Sequence, residues 1–330
     1  MSSLIVEVCQ IDKVLPHPGA DNLELIIIKG WQCVVPKGHY KNLDKCVYIP
    51  VDSVLPIELS DRLNITKYLS NGRVRCARLR GESSFGVVLD CDKDWSVGTS
   101  VTDHYGITKW EPPLRITSSD TIQEHPTFIR YTEIENLRNF PTIFGEGEKI
   151  YITEKIHGTN VRLSYIDNGK MAGSHRMQRK EVDDITANPY WFPWSIKGVE
   201  EFLTESPNTI LFGETFGPKI QNLTYGLKRL SFAAFDIWKK GHYLNYQEFL
   251  TICYHYGIPT VPLLGYTTFS LEIIKRLSKG NTMLGADHVR EGIVIRPDTE
   301  RNDPKVGRVI LKYINDDYLF KKDTTDNQEL

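Results

Sequence analysis

"YITEKIHGTNVRL", Tyr151 to Leu163, begins as a half-buried strand and then changes character. Ile150 and Ile152 alternate with Tyr151 and Thr153, the period of a pleated strand with one face inward. The run reaches Lys155 and breaks into Ile156, His157 and Gly158. A lysine at a strand end is ordinarily a solvated charge. Lys-x-His-Gly, with three positions fixed, arises by chance in roughly one chain in twenty of this length. The meaning of Lys155 therefore depends on what accompanies it along the chain.

Around that stretch, strands and helices mix. Strands are predicted at Lys149–Tyr165, Thr209–Thr215, Leu230–Trp238, Gly292–Arg296 and Arg308–Ile314. A helix is predicted over Tyr246–Tyr256, where Asn245 and Glu248 have capping-box spacing. Phe249, Ile252, Cys253 and Tyr256 fall on one of its faces. A second helix is predicted over Leu271–Lys279, with Ser270 as N-cap and Gly280 just beyond the end. Residues 1–107 read as all-β: "LIVEVCQI", "LELIIIKGWQCVV", "CVYIPVDSVL", "RVRCARLRG" and "FGVVLD" are separated by turn-rich "PHPGAD", "PKGHYKNLD" and "SNGR". Five short strands in about 100 residues suggest an OB-like barrel. Residues 108–126, polar with paired prolines, read as a linker. The second domain is then 127–330, and the fold class is α+β. "TTDNQEL" at the end reads as frayed.

The 330 residues carry a formal net charge of -2, with 40% hydrophobic and 25% charged residues, enough to build two cores. That balance gives no general affinity for nucleic acid, although a local basic groove fits within it. The six cysteines form no CxxC pair and no Cys/His ligand set, which argues for reduced thiols rather than zinc or disulfides. The N-terminus, "MSSLIVEVCQIDK", has acids where a signal peptide needs an apolar core, and no apolar run approaches the roughly 20 residues that span a bilayer. A soluble, cytoplasmic protein is expected.

The segments after Lys155 form an ordered set: "FGETFGPKIQNLTYG" (Phe212–Gly226), "FAAFDIW" (Phe232–Trp238), "EGIVIRP" (Glu291–Pro297) and "RVILKYIN" (Arg308–Asn315). With "EKIHGTN" they resemble the covalent nucleotidyltransferases, the ATP-dependent ligases and mRNA capping enzymes. The likeness is closest to the RNA ligase 2-like branch, in which His stands where DNA ligases carry Asp. "RYTEIENLRN" (Arg130–Asn139) is similar to the segment that opens that family's catalytic domain. "HPGADNLELIIIKGWQCVVPKG" resembles the N-terminal OB-like domain of the RNA ligase 5 family. The resemblance implies an antiparallel-sheet nucleotidyltransferase (ATP-grasp-like ligase) domain behind an OB-like barrel.

The chemistry explains the residue types. A lysine amine is a poor nucleophile while protonated, and desolvation or a second cation moves its pKa toward neutrality. At a strand end beside a glycine turn, Lys155 can approach the α-phosphorus of ATP without a bulky neighbour. Mg²⁺ or Mn²⁺ is expected to neutralise the triphosphate. In "EGIVIR", Glu291, Ile293 and Ile295 share one side of the strand, and the resemblance favours Glu291 as a metal ligand. In "RVILKYI", Arg308, Ile310, Lys312 and Ile314 share one face, so Lys312 is the candidate second cation. By resemblance, Glu154 contacts the adenine amino edge, Phe235 stacks on the base, and Glu214 binds the ribose hydroxyls. Arg176 reaches the sugar or a phosphate, and Asn160 coordinates water or metal. Asp236 is expected instead as a structural partner to backbone amides.

One departure is plain. The RNA ligase 2-like pattern carries Lys-x-Lys in its last block, and this chain has Lys312-Tyr313-Ile314. Either Lys312 alone suffices, or another cation substitutes, with Arg308, Lys305, Lys321 and Lys322 as candidates. In the barrel, Arg73, Arg75, Arg78 and Arg80 either track a phosphate backbone or form a solvated edge. Trp31, Tyr40 and Tyr48 either stack bases or fill the barrel. The implied function is ATP-dependent joining of RNA 3'-OH and 5'-phosphate ends, at a nick in duplex RNA or an RNA/DNA hybrid; the oligomeric state is open, with a monomer expected. A DNA ligase, a GTP-using capping enzyme and a non-catalytic RNA-binding protein are the alternatives.

Overall fold

The computed structural model describes residues 4–111 and 120–320. The middle of the expected linker, the expected frayed end, and Lys321 and Lys322 lie outside them. The chain divides into two compact units. Among the described residues the first holds 4–111 with Leu137–Pro141, Leu319 and Phe320, and the second holds 120–136 and 142–318. Both are mostly β with few helices.

In the first unit, Glu7–Gln10, Lys45–Ile49 and Val87–Asp90 form one antiparallel sheet. Lys13–Pro16, Leu23–Ile28 and Trp31–Pro36 form another. The first strand crosses between them at Ile11–Asp12: Ile11 N–H donates to Asp44 O, and Asp12 N–H to Ile27 O. The pairing therefore falls into separate short sheets, and the strands do not join in one closed barrel among the described residues. One open alternative is resolved here and one expectation is corrected. Trp31, Tyr40 and Tyr48 are buried and fill the interior rather than offering faces to bases. "RVRCARLRG" is strand only over Cys76–Leu79. Arg73 is buried, ion-paired to Asp52 at 2.6 Å and stacked on Trp110, so it cannot follow a phosphate backbone.

The second unit packs two sheets face to face. The first sheet runs Glu135–Asn136, Leu311–Ile314, Gly292–Pro297, Lys149–Lys155, Leu263–Thr268. All its neighbours are antiparallel except the parallel pair of Glu135–Asn136 with Leu311–Ile314. The second sheet is antiparallel: Gln178–Arg179, Gly169–Gly173, Thr159–Ile166, Ile210–Phe216, Ser231–Lys239, His242–Tyr243. Phe212 and Ile210 of the second sheet pack with Val294 and Ile310 between the two. The second sheet's outer face buries Val161, Leu211 and Ala234 under the helix Lys197–Glu205 and Trp191 and Trp194.

The helix Tyr246–Tyr256 has the predicted bounds: Glu248 accepts the Asn245 N–H at its start, and Gly257 at φ 66° ends it. The second helix is Leu271–Ser278, and Ser270 makes no side-chain capping bond. The predicted strand Lys149–Tyr165 is two strands belonging to different sheets, with Ile156–Gly158 carrying the chain across. The predicted strand Arg308–Ile314 is also divided. Gly307–Arg308 pairs with Asn302–Asp303 as a small hairpin, and only Leu311–Ile314 joins the large sheet. Arg308 therefore does not continue the Lys312 face by parity.

Candidate active site

Register places the candidate residues on facing surfaces of the two sheets. Lys155 pairs with Gly292 and Thr153 with Val294, while Val294 pairs with Lys312 and Gly292 with Ile314. Side chains at these paired and alternating positions share one face. Lys155, Val294 and Lys312 thus line the side of the first sheet that packs on Phe212. Opposite them, Asn160 and Glu214 are cross-strand partners on the Phe212 face. In otherwise buried strands, Lys155, Val294, Glu214 and Phe235 are half-buried. The sheets therefore part at these residues into a cleft.

Lys155 Nζ lies 2.8 Å from Glu291 Oε1, with side-chain exposures of 16% and 2%. Glu291 precedes the strand Gly292–Pro297, so strand alternation does not govern it, and it reaches the Lys155 side. Burial disfavours the Glu291 charge, but the neighbouring Lys155 ammonium and the His157 ring at 3.7 Å outweigh burial. Its carboxyl is held below the usual carboxylate range, and it is ionised at neutral pH.

His157 was quoted in the sequence motif without a role; the structure makes it a brace. Its N–H donates to Tyr225 Oη at 2.7 Å. Its Nε2 meets Asn222 Oδ1 at 2.8 Å, and its Nδ1 meets Tyr318 Oη at 2.9 Å. Nδ1 also lies toward Glu291 Oε2 at 3.7 Å, so both ring nitrogens are held by partners. The Lys-x-His-Gly spacing marked this histidine, but its three partners come from distant segments.

Gly158 has a packing task that its sequence position does not show. A Cβ there would lie 2.4 Å from Thr215 O and 2.9 Å from Glu214 Cγ. Its N–H donates to Glu214 Oε1 at 3.1 Å. The glycine thus lets the crossing segment sit on the Glu214 strand. Gly158→Ala is expected to cost about 1–3 kcal/mol of stability by overpacking, measured by urea unfolding; an unchanged midpoint would contradict this contact.

Phe235 is a bulge residue. Phe212 pairs with Asp236 and Gly213 with Ala234, which leaves Phe235 unpaired between them and turned into the cleft. It joins Val294 in one apolar cluster and Ile156, Val261 and Leu284 in another. Val294 was not singled out by sequence; its signal is that it is the one half-buried position in a strand otherwise buried throughout.

Glu154 points to the face opposite Lys155. It is 1% exposed, and its carboxylate accepts the Thr282 hydroxyl and, at 2.7 Å, the Met283 N–H. The loop that holds it continues to Leu284, which packs in the Phe235 cluster. Arg176 is half-buried in the turn closed by Ser174 N–H to Met177 O. Because Arg162 pairs with Gly173, the residues after Gly173 run toward the Asn160 end of the neighbouring strand.

Lys312 is 3% exposed, and Ile314 is fully buried opposite Gly292, where an added Cβ would be 2.4 Å from Tyr313 O. Ile314 therefore fills a packed position. Of the candidates to replace the missing charge, Arg308 is committed to Asp236 at 2.7 Å and Glu300 at 2.6 Å, and Lys305 is exposed in a turn. Asp236 is structural: fully buried, it accepts the Ile237 N–H and faces both Arg296 and Arg308.

Two buried oxygens facing this region, Asn160 Oδ1 and Glu291 Oε2, have no hydrogen-bond partner. Hard oxygen donors of this kind suit Mg²⁺ or Mn²⁺. The described residues contain no group of three or more His, Cys, Asp or Glu able to hold a metal alone. That fits an ion shared with substrate phosphates, as Mg²⁺ sites commonly are.

An RNA ligase family model matches residues 148–314, and an OB-fold domain model matches residues 5–91. No curated protein matches. Among solved structures, a Naegleria gruberi RNA ligase mutant without ligand is 28% identical, with a TM-score of 0.80 over 96% of this chain and 98% of that one. A mutant of the same ligase with ATP and Mn has the same identity, TM-score and coverage. Another, with AMP and Mn, is 27% identical at a TM-score of 0.80 over the same shares. No helix among the described residues is long and apolar enough to cross a membrane.

Proposed function

The chain belongs to the RNA ligase family, with an OB-fold domain ahead of its ligase domain, and from that premise we propose that it seals RNA nicks in three nucleotidyl transfers. Lys155 attacks the α-phosphorus of ATP and pyrophosphate leaves, giving a lysyl-AMP phosphoramidate. AMP then passes to the 5'-phosphate at the nick. A 3'-OH attacks that activated end, and AMP departs. The observation that carries this reading is the Lys155–Glu291 pair at 2.8 Å, in a cleft that Lys312, Asn160, Glu214 and Phe235 also face.

The task assigned to each residue rests on its placement together with the family resemblance. Lys312, on the Lys155 face, supplies positive charge where negative charge develops on phosphorus. Glu291 and Asn160 would hold Mg²⁺ or Mn²⁺ with their unpartnered oxygens. When bound, such an ion neutralises phosphate charge and orients the leaving group. Glu214 takes the ribose hydroxyls, Arg176 a sugar or phosphate oxygen, and Glu154 the adenine edge with the lone pairs its two donors leave free. Phe235 stacks on the base. The two-sheet unit is read as the antiparallel nucleotidyltransferase fold. The OB-fold domain is read as RNA-binding, with exposed Arg78 and Arg80 as its contacts. The protein acts as a monomer in the cytoplasm. Nicked RNA and hybrids offer the 2'-hydroxyls of a wide minor groove for recognition.

A ligation panel tests the substrate: nicked RNA, nicked DNA, hybrids and single strands, each with defined ends, ATP and Mn²⁺. Sealing fastest at a nick whose 3'-OH is on RNA is the expected result; equal sealing of single strands or of all-DNA nicks would overturn it. Phe235→Ala is expected to raise the KM for ATP in self-adenylation. Base–aromatic stacking of about 1–3 kcal/mol corresponds to roughly 5- to 150-fold. An unchanged KM would remove Phe235 from the base site.

A further inference from the structure

A half-buried phenylalanine in a strand bulge has no ladder partner to hold its direction, yet a stacking platform works best when it is already set. The structure supplies the missing support from Tyr131, which lies outside the 148–314 span matched by the RNA ligase model. The Tyr131 ring meets Phe235 edge-on, with centroids 4.9 Å apart at 64°. It also touches Phe212 at 4.9 Å and Tyr243 at 5.6 Å. Its hydroxyl donates to Asp236 Oδ2 at 2.8 Å and accepts from Arg308 Nη1 at 3.3 Å.

That anchor is itself fixed. Asp236 is the residue after the bulge, and Arg308 Nη1 reaches its Oδ2 at 2.7 Å. Arg308 in turn grips Glu300 with two bonds, 2.6 and 2.8 Å, and lies over the Tyr243 ring at 3.6 Å. Tyr243 Oη accepts the Thr132 N–H at 3.1 Å, next to Tyr131 in sequence. Rotating the Tyr131 ring away from Phe235 would break its bond to a fully buried carboxylate. An apolar cluster of equal volume could have served packing alone as well. The charged anchor sits at the residue that follows the bulge.

We propose that Tyr131, anchored by Asp236 and Arg308, is a positioning residue that holds Phe235 in its base-stacking orientation. This rests on the reading of Phe235 as the base platform.

The test uses the full chain and self-adenylation with α-labelled ATP in Tyr131→Leu, Tyr131→Phe and Phe235→Ala, with inhibition by inorganic tripolyphosphate alongside. Tyr131→Leu removes the ring edge and is expected to raise the KM for ATP roughly three- to tenfold. The maximal rate and the tripolyphosphate inhibition constant should move less than about twofold, because the phosphate subsite does not depend on the ring. Tyr131→Phe keeps the ring and loses the anchor, with an expected rise of about twofold. It also serves as the readout if the leucine variant does not fold. A raised KM in Phe235→Ala with wild-type KM in both Tyr131 variants would overturn this inference alone. So would a parallel rise in the tripolyphosphate constant, which marks general disruption. Wild-type KM in all three variants would overturn the base-platform reading with it.

Discussion

Lys155→Ala protein, incubated with α-labelled ATP and divalent metal, stays unlabelled, and its sealing of 5'-phosphate ends falls roughly 10⁴- to 10⁶-fold, the scale of removing a nucleophile. The loss is confined to the first transfer. No other step needs the Lys155 amine as nucleophile, so the variant still seals a nick supplied with an already adenylated 5' end. The chain should still fold, because the side chain ends a strand and faces a cleft, but its unfolding midpoint should fall, because the buried Glu291 carboxylate loses its ion pair. Covalent label on the alanine variant would show that another residue attacks ATP. Loss of sealing on adenylated ends, in protein still folded at the assay temperature, would show that Lys155 does more than attack.

Glu291→Gln gives the contrasting pattern. It keeps the side-chain shape but removes the charge that meets Lys155 at 2.8 Å and the open oxygen suited to a divalent ion. Both displacements at phosphorus that form and use the activated end rely on that charge. Sealing is therefore expected to fall about 10²- to 10³-fold on 5'-phosphate ends and on adenylated ends alike. The metal dependence should also shift, with more Mn²⁺ needed for half-maximal rate. A Glu291→Gln enzyme that fails only in self-adenylation would leave the ion pair as the whole of its role. Because burial is outweighed and the folded carboxyl titrates below its usual range, the wild-type pair contributes stability at neutral pH. That contribution is lost as pH falls through the depressed value.

The sequence showed these residues through local signals. The Tyr246–Tyr256 helix was legible to the residue because its start and end rest on side chains and a glycine within the segment. Lys155, Glu291 and Lys312 were legible as an ordered set, and alternation put Lys155 and Lys312 at strand positions whose register could then be matched. What the sequence could not show is long-range. The Phe235 bulge exists only in the pairing with Phe212 and Gly213. The break after Lys155 looks like a strand continuing, because nothing local says that Thr159 joins another sheet. Parity misled wherever a strand was interrupted, as at Arg308, whose charge is spent on Asp236 and Glu300. Arg73 read as one of a row of surface charges until Asp52 and Trp110 were seen to cover it.

The central claim is that the Lys155 amine forms the covalent bond to AMP. Peptide mapping of wild-type protein, adenylated with ATP and Mn²⁺ and digested under conditions that preserve a phosphoramidate, tests it most directly. The predicted result is one adenylated peptide, carrying AMP on Lys155 and losing it in mild acid. AMP on any other residue, or no covalent AMP in protein that nonetheless seals RNA, would contradict the account.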